Sequence, residues 1–258
     1  MSDVTPEELM AITASRLLAD HKVVFAGVGM PLLASAVARH RHAPHLTIVL
    51  EGGIIGTALL PGKLPISTNE MRAAYGAQML TDITDIFLYA QRGFFDYGFL
   101  GAAQVDMYGN INTSVIGSME RPRVRLPGSG GANDIISLCN EVLIVTQHEP
   151  RRFVERVDFI TSPGYLSGGD SRARAGLLTG RLGAVVTDLA LLDFEPASRR
   201  MRLRGLQPGV SAAQVRAQTG FELLVSDEIT ELMPPSEEEI AIYRELRDGP
   251  VKVALEAS

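Results

Sequence analysis

Residues Lys22 to Gly53, KVVFAGVGMPLLASAVARHRHAPHLTIVLEGG, decide the fold. KVVFAGVG is a β-branched and aromatic run that enters glycines, PLLASAVARH opens a helix at Pro31, and LTIVL is a second apolar run. Strand, helix and strand within about 30 residues form a βαβ crossover, which sets two parallel strands side by side. Glu51 is the first residue beyond the second strand, and two glycines follow it.

Working outward, Thr5 to Glu8 is a capping box with Pro6 at the first helical position and Leu9, Met10, Ile12 and Leu17 on one stripe. Downstream, ITDIFLYAQRG reads as a helix, and YGFLGAAQV and EVLIVTQH each read as a strand. AVVTDLALLDFE and RMRLRGL read as an antiparallel pair. Two further capping boxes, Ser211 to Gln214 and Ser236 to Glu239, start short helices, the first stopping at Gly220. The expected fold is an α/β open, mostly parallel sheet flanked by helices, with an antiparallel extension. No repeat, low-complexity tract or linker divides residues 1–258, which predicts a single domain.

Composition narrows the function. With 24 Lys plus Arg against 30 Asp plus Glu, the net charge of -6 has the wrong sign for a protein that neutralises phosphates, so nucleic acid is not an expected partner. Hydrophobic residues at 46% and charged residues at 21% are those of an ordinary globular chain. One cysteine excludes an intrachain disulfide. With no signal-like or 18-residue apolar stretch, the chain reads as cytoplasmic, without membrane association. Cys139, in DIISLCN, reads as a small buried residue. His21, His40, His42 and His45 read as surface residues and His148 as a polar cap after a strand. No HExxH, EF-hand or Cys/His cluster argues for a metal.

Four glycine-bearing turns fall where strands should end: GVGMP from Gly27, LEGGIIG from Leu50, DMYGNINTS from Asp106 and PGSGGAND from Pro127. Ligands of open α/β sheets sit at the carboxyl ends of strands, and glycine lets backbone N–H groups approach an anion closely. PGSGGAND reads as a glycine-rich loop opening a helix. Such a loop can preorganise donors for an oxyanion, and it can equally be a plain flexible turn. Beside it, a carboxylate already ionised at neutral pH suggests acyl transfer with Glu51 as covalent nucleophile, needing no base. Alternatively, Glu51 lies 24 positions after Gly27, near the roughly 20 at which a dinucleotide site places its ribose carboxylate. That leaves open a non-catalytic nucleotide or metabolite-binding module. The third glycine of that fingerprint is missing.

Taken in order, GVGMPLLASAVA, EGGIIG, GAAQVDMYGNINTSVIG, PGSGGAND, TQHEPRRFVERVDFITSPGY and VVTDLALLDF resemble family I coenzyme A transferases, specifically the B (beta) subunit of the glutaconate CoA-transferase type. The resemblance implies that Glu51, matching the glutamate of an E-[SN]-G motif, attacks an acyl-CoA thioester and becomes a glutamyl-CoA thioester. It implies acyl-CoA and oxyanion contacts from Gly29, Met30, Gly52, Gly53, Gly128, Ser129, Gly130 and Gly131, and a contact from the Asn112 side chain to the acyl or glutamyl carbonyl. Gly52 departs from the motif's Ser or Asn. The resemblance further implies coenzyme A and acyl-CoA as substrates with no permanently bound cofactor, a carboxylic acid acceptor, and a homologous A (alpha) subunit carrying much of the acyl pocket. Apolar surface on this chain would then be interface. Ring-cleaving hydrolases and decarboxylases on the same fold resemble the transferases elsewhere but can lack the glutamate. Arg72, Arg151 and Arg152 read as solvated, or as contacts for a distal carboxylate or the CoA phosphates.

Overall fold

A computed structural model describes residues 4–249. The chain forms two compact units, one comprising residues up to Tyr97 together with those from Pro235 onward, the other Gly98–Pro234. No change in composition marks either crossing.

The first unit opens with α1 (Pro6–Ser15). The Thr5 hydroxyl accepts from the Glu8 N–H at 3.2 Å and the Glu8 carboxylate accepts from the Thr5 N–H at 2.9 Å, so two of the N–H groups that a helix start leaves unpaired are satisfied. Then come β1 (Val23–Phe25), α2 (Met30–Arg41) and β2 (Thr47–Leu50). β1 and β2 pair in parallel, Val23 opposite Thr47 and Phe25 opposite Val49, so their carboxyl ends coincide. β3 (Ile54–Ile55) turns back antiparallel on β2, and β4 (Met79–Leu80) on β3, which leaves β4 outermost. α3 (Ile83–Gln91) follows, and α7 (Glu237–Asp248), last in chain order, returns to pack on α1 and α2. Met10, Ile12, Leu32, Val37, Ile240 and Leu246 are buried in the unit. Each such side chain contributes about 1.5–3 kcal/mol through area removed from water.

The second unit runs β5 (Tyr97–Leu100), the hairpin β6 (Gln104–Val105) and β7 (Ile111–Asn112), the hairpin β8 (Val115–Gly117) and β9 (Pro122–Arg125), α4 (Ala132–Leu138) and β10 (Glu141–Val145). It continues through α5 (Ser171–Arg174), β11 (Arg181–Val186), β12 (Ala190–Phe194), β13 (Met201–Leu206), α6 (Ala212–Ala217) and β14 (Leu224–Glu231). Its sheet order is β14-β13-β12-β11-β10-β5, parallel at β10–β11 and β13–β14 and antiparallel at β11–β12–β13. A flanked α/β sheet with an antiparallel extension is therefore the observed class.

Three local expectations change. YGFLGAAQV is two strands, because the Thr146 hydroxyl and the Arg152 guanidinium both donate to the Ala102 carbonyl, at 3.2 and 2.7 Å, and draw the chain off the sheet after β5. AVVTDLALLDFE is itself a hairpin, since the Thr187 hydroxyl accepts from the N–H groups of Leu189 and Ala190 and turns the chain between β11 and β12. The helix opened by the Ser211 box ends at Ala217, before Gly220.

Candidate active site

In the first unit the Ala26 N–H donates to the Val49 carbonyl at 3.0 Å, carrying the parallel pairing one step past β1. The chain then leaves both strands through glycines at the same end. Gly29, at φ 81°, is the N-cap of α2, so Met30 and Pro31 start the helix there. A Cβ on Gly27 or Gly29 would meet nothing within 4 Å, so the turn borders open space. After β2, Glu51–Gly52–Gly53 makes the reversal into β3. Gly53 has φ 94°, and a Cβ on it would lie 2.1 Å from the Thr81 carbonyl oxygen, while the Thr81 N–H donates to Gly53 O at 2.8 Å. Only glycine fits there. A Cβ on Gly52 would fall 2.2 Å from Asn69 Oδ1 and 2.4 Å from Thr68 O.

Glu51 is half-buried, and its carboxylate has no hydrogen-bond or ion-pair partner among the described residues. Three other acids of this unit are tied up. Glu8 binds Arg244, Glu239 binds Arg16 and Asp96 binds Lys22. A carboxylate left unpartnered at the joint carboxyl end of two parallel strands, beside glycines that face open space, is free to act on something that is not the protein.

In the second unit, the Gly128 N–H donates to Thr113 O at 2.8 Å, the Thr113 hydroxyl donates to Gly128 O at 2.8 Å, and the Leu126 N–H donates to Ser114 O at 3.0 Å. These bonds clamp the start of the glycine loop to the segment after β7. Beyond the clamp, Gly128 and Gly130 have φ 97° and 47°, and a Cβ on either would meet nothing within 4 Å. The main-chain N–H groups of Ser129, Gly130 and Gly131 find no acceptor among the described residues. Ser129 is half-buried, Gly130 is exposed and Gly131 is the N-cap of α4, so these N–H groups stand at a helix start on a clamped, open loop, where they can receive an anionic oxygen.

Asn112 is the last residue of β7. It is fully buried, and its amide donates to Gln104 Oε1 at 2.7 Å and Val115 O at 2.6 Å, while Oδ1 accepts from the N–H groups of Ser114 and Val115. Both amide hydrogens are committed to the protein, so the side chain holds the clamp segment in shape and has no donor left for a substrate carbonyl. Thr161 Oγ1 lies against the same turn, accepting from the Thr113 N–H at 2.9 Å.

Next to this loop lies a cleft of about 550 Å³, with Gln104, Ile116, Leu126 and Val154 among its walls and Arg123, Arg151 and Arg152 along it. Glu149 holds Arg151 at 2.8 Å and Arg152 at 2.6 Å, and Arg123 has no ion-pair partner among the described residues. Arg151 and Arg152 therefore border a cleft, whereas Arg72 pairs with Glu70 in the first unit. Sequence reasoning missed Gln104 and Asn69, and no local pattern could have found them, because their surroundings exist only after folding; Arg123 lies in the basic run RPRVR, Arg121 to Arg125, which reads as a solvated face or a local phosphate contact.

The remaining titratable candidates are structural. His148 is no surface cap. It is buried, stacked on Phe153 with ring centroids 4.0 Å apart and hydrogen-bonded to Thr187 and Thr219, and burial lowers it to about 4. Cys139 is buried, which pushes its thiol up to about 12 and makes it inert as a nucleophile. Asp20, His21 and His45 offer ligand atoms within 4.8 Å of one another, but on exposed loops preceding β1 and β2, at the opposite ends of those strands from Glu51.

The first unit thus offers an unpaired carboxylate at a strand end, and the second, taken by itself, a clamped glycine loop with free N–H groups. Residues 7–218 match the family described as coenzyme A transferase. The B subunit of the 3-oxoadipate CoA-transferase of Pseudomonas knackmussii is 39% identical over 247 residues, 95% of this chain and 94% of that one. The B subunit of the glutaconate CoA-transferase of Acidaminococcus fermentans is 35% identical over 95% of this chain and 92% of its own. The crystal structure of that glutaconate enzyme matches at a TM-score of 0.88 over 96% of both chains. A structure of the decarboxylase AibA/AibB matches less closely, at a TM-score of 0.80 and 28% identity over 95% of both chains. The chain belongs to the coenzyme A transferase family. Within it, this is the B-type subunit of a heteromeric CoA-transferase.

Proposed function

We propose that the chain, paired with a homologous A subunit, moves CoA from an acyl-CoA to a carboxylic acid acceptor through a covalent intermediate on Glu51. The observation that carries this reading is the unpartnered Glu51 carboxylate at the joint end of β1 and β2. A Glu51 oxygen attacks the thioester carbonyl carbon, and the carbonyl electron pair moves onto oxygen. As the pair returns, the carbon–sulfur bond breaks, leaving a mixed anhydride and CoA thiolate. The thiolate attacks the glutamyl carbonyl, the first carboxylate departs, and glutamyl-CoA thioester remains. An acceptor carboxylate then runs the same steps in reverse, so the thioester bond is conserved and the kinetics are ping-pong.

The N–H groups of Ser129, Gly130 and Gly131 are assigned to the oxyanion formed at each tetrahedral step, where loss of one donor typically costs about 10² to 10³ in rate. Gly29 and Met30 border the acyl-CoA, Gly52 and Gly53 shape the Glu51 turn, and Asn112 acts by holding the Thr113 clamp. The proposed cargo is a short dicarboxylic acyl group, as in the 3-oxoadipate and glutaconate enzymes. Arg123 and Arg151 on the neighbouring cleft supply cations for a distal carboxylate or the CoA phosphates.

The test is to co-express the chain with an A subunit, incubate with acyl-CoA, trap with borohydride or hydroxylamine and map the adduct by mass spectrometry. The expected outcome is a label on Glu51 that Glu51→Gln abolishes, together with loss of transfer by at least about 10³-fold. Turnover with Glu51 never labelled would sink the reading and move the chemistry to hydrolysis or decarboxylation, the latter being the activity of the AibA/AibB neighbour.

A further inference from the structure

The donors of the glycine loop in the second unit are not fastened by bonds of their own. Among the described residues, the hydrogen bonds of Ser129, Gly130 and Gly131 run only into α4. The Ala132 N–H donates to Ser129 O at 2.9 Å, the Asn133 N–H to Ser129 Oγ at 3.3 Å and the Ile135 N–H to Gly131 O at 2.9 Å. Gly128 and Gly130, both at positive φ, give the chain there a wide choice of conformations. Where the free N–H groups point is therefore decided at the two ends of the loop, by what holds Gly128 and by what holds α4.

Both ends lead to one short segment, residues 158–164. At the first end Thr113 is the bridge, since its hydroxyl and carbonyl hold Gly128 while its N–H donates to Thr161 Oγ1 at 2.9 Å. Thr161 is buried, shares a hydrogen bond of 2.8 Å with Ser114 Oγ, and donates its own N–H to Ile111 O at 2.9 Å. Three residues earlier, the Asp158 N–H donates to Gln104 Oε1 at 3.0 Å, the same atom that accepts from the Asn112 amide. At the second end the buried Arg172 guanidinium joins the segment to α4. Its Nη1 donates to Pro163 O at 2.6 Å and Gly164 O at 2.8 Å, and its Nη2 donates to Ile136 O of α4 at 2.8 Å.

We infer that residues 158–164 are a strap that aims the oxyanion donors, and that Thr161 is the positioning residue through which the strap acts on the start of the loop. The inference rests on the reading of that loop as the oxyanion receptor, and it adds what sets the loop's geometry. Thr161 is joined to the loop through Thr113, so its effect on the reaction is indirect. Without the Thr161 acceptor, the half-buried Thr113 N–H must shift to find another partner. The carbonyl and hydroxyl of the same residue hold Gly128, so the shift passes to the loop. Donors turned away from the developing charge weaken the transition state while leaving ground-state binding much as it was.

The experiment uses the complex of this chain with an A subunit. It compares wild type with Thr161→Val, which matches the shape and removes the acceptor, and with Thr161→Ser, which keeps the hydroxyl. Steady-state kinetics, the rate of Glu51 labelling in a single turnover and thermal melts are read for each. Thr161→Val is expected to lower kcat and the labelling rate about 10- to 100-fold, less than outright loss of a donor, with KM for acyl-CoA changed by less than about 3-fold. Thr161→Ser is expected to return within about 3-fold of wild type. Thr113→Val removes only the hydroxyl bond to Gly128 and should show a similar loss, and the double variant should lose little more than either, because both cut one connection. That variant also decides the case in which Thr161→Val fails to fold, since an unchanged kcat in Thr113→Val overturns the inference. Full activity in a folded Thr161→Val, a raised KM with kcat kept, or a Thr161→Ser as slow as Thr161→Val overturns it equally. Wild-type turnover with no label on Glu51 rejects the covalent chemistry, and kcat lost in Thr161→Val and restored in Thr161→Ser then still upholds the strap.

Discussion

At the residue scale, Gly52 explains a departure that the sequence only flagged. The family motif carries Ser or Asn beside its glutamate, and here Asn69 Oδ1 lies 2.2 Å from where a side chain at Gly52 would begin, with Thr68 O at 2.4 Å. The loop at 68–69 has taken that space. Gly52→Ser therefore forces the loop outward, and overpacking of this kind typically costs about 1–3 kcal/mol. A thermal melt should show the lower midpoint, and adduct trapping should show less label on Glu51. Asn69→Gly in the same chain should recover part of both, which a double-mutant cycle would measure as coupling between the two positions. Equal losses in the single and double variants would show that the two residues do not share the space.

At the element scale, α1 and α7 hold each other through the glutamates that cap them. Glu8 closes the α1 capping box and binds Arg244 of α7 at 2.6 Å, while Glu239 closes the α7 box and binds Arg16, just past α1, at 2.6 Å. Each box is readable in four residues of sequence. The cross-pairing is not, because Arg16 and Glu239 lie 223 positions apart. Burial works to raise the Glu239 carboxyl, but hydrogen bonds from Arg16 and the Ser236 N–H outweigh it and bring the group to about 2. A carboxyl held below its unfolded value of about 4.3 contributes stability that is complete above that value and lost as pH falls towards about 2. Glu239→Gln should therefore lower stability by about 2 kcal/mol at pH 7. In denaturant titrations the gap to wild type should close between about pH 4 and pH 2.

At the scale of the whole molecule, acid sensitivity should begin earlier than carboxylates alone would set it. His148 sits near 4 in the folded chain, against an ordinary value of about 6.5, because burial disfavours its charged form. Its neutral state contributes stability that is present above pH 6.5 and lost as pH falls through about 4. His148→Gln should flatten the part of the stability profile between pH 6.5 and 4, and melts across that range at fixed ionic strength would detect it. An unchanged slope would assign the acid loss to other groups.

The parallel βαβ start, the three capping boxes, the glycine turns and Glu51 at a strand end were all legible in the chain. These depend on spacing of 2 and 3.6 residues, on short-range cap chemistry and on glycine's freedom at positive φ. Which of those polar groups stay free was settled by packing. It left Glu51 and the N–H groups of Ser129 to Gly131 unpaired, closed Asn112 against Gln104 and Val115, and buried His148 between two threonines. A residue's partners come from segments tens of positions away, and whether a polar group is satisfied is a property of packing that no local pattern records.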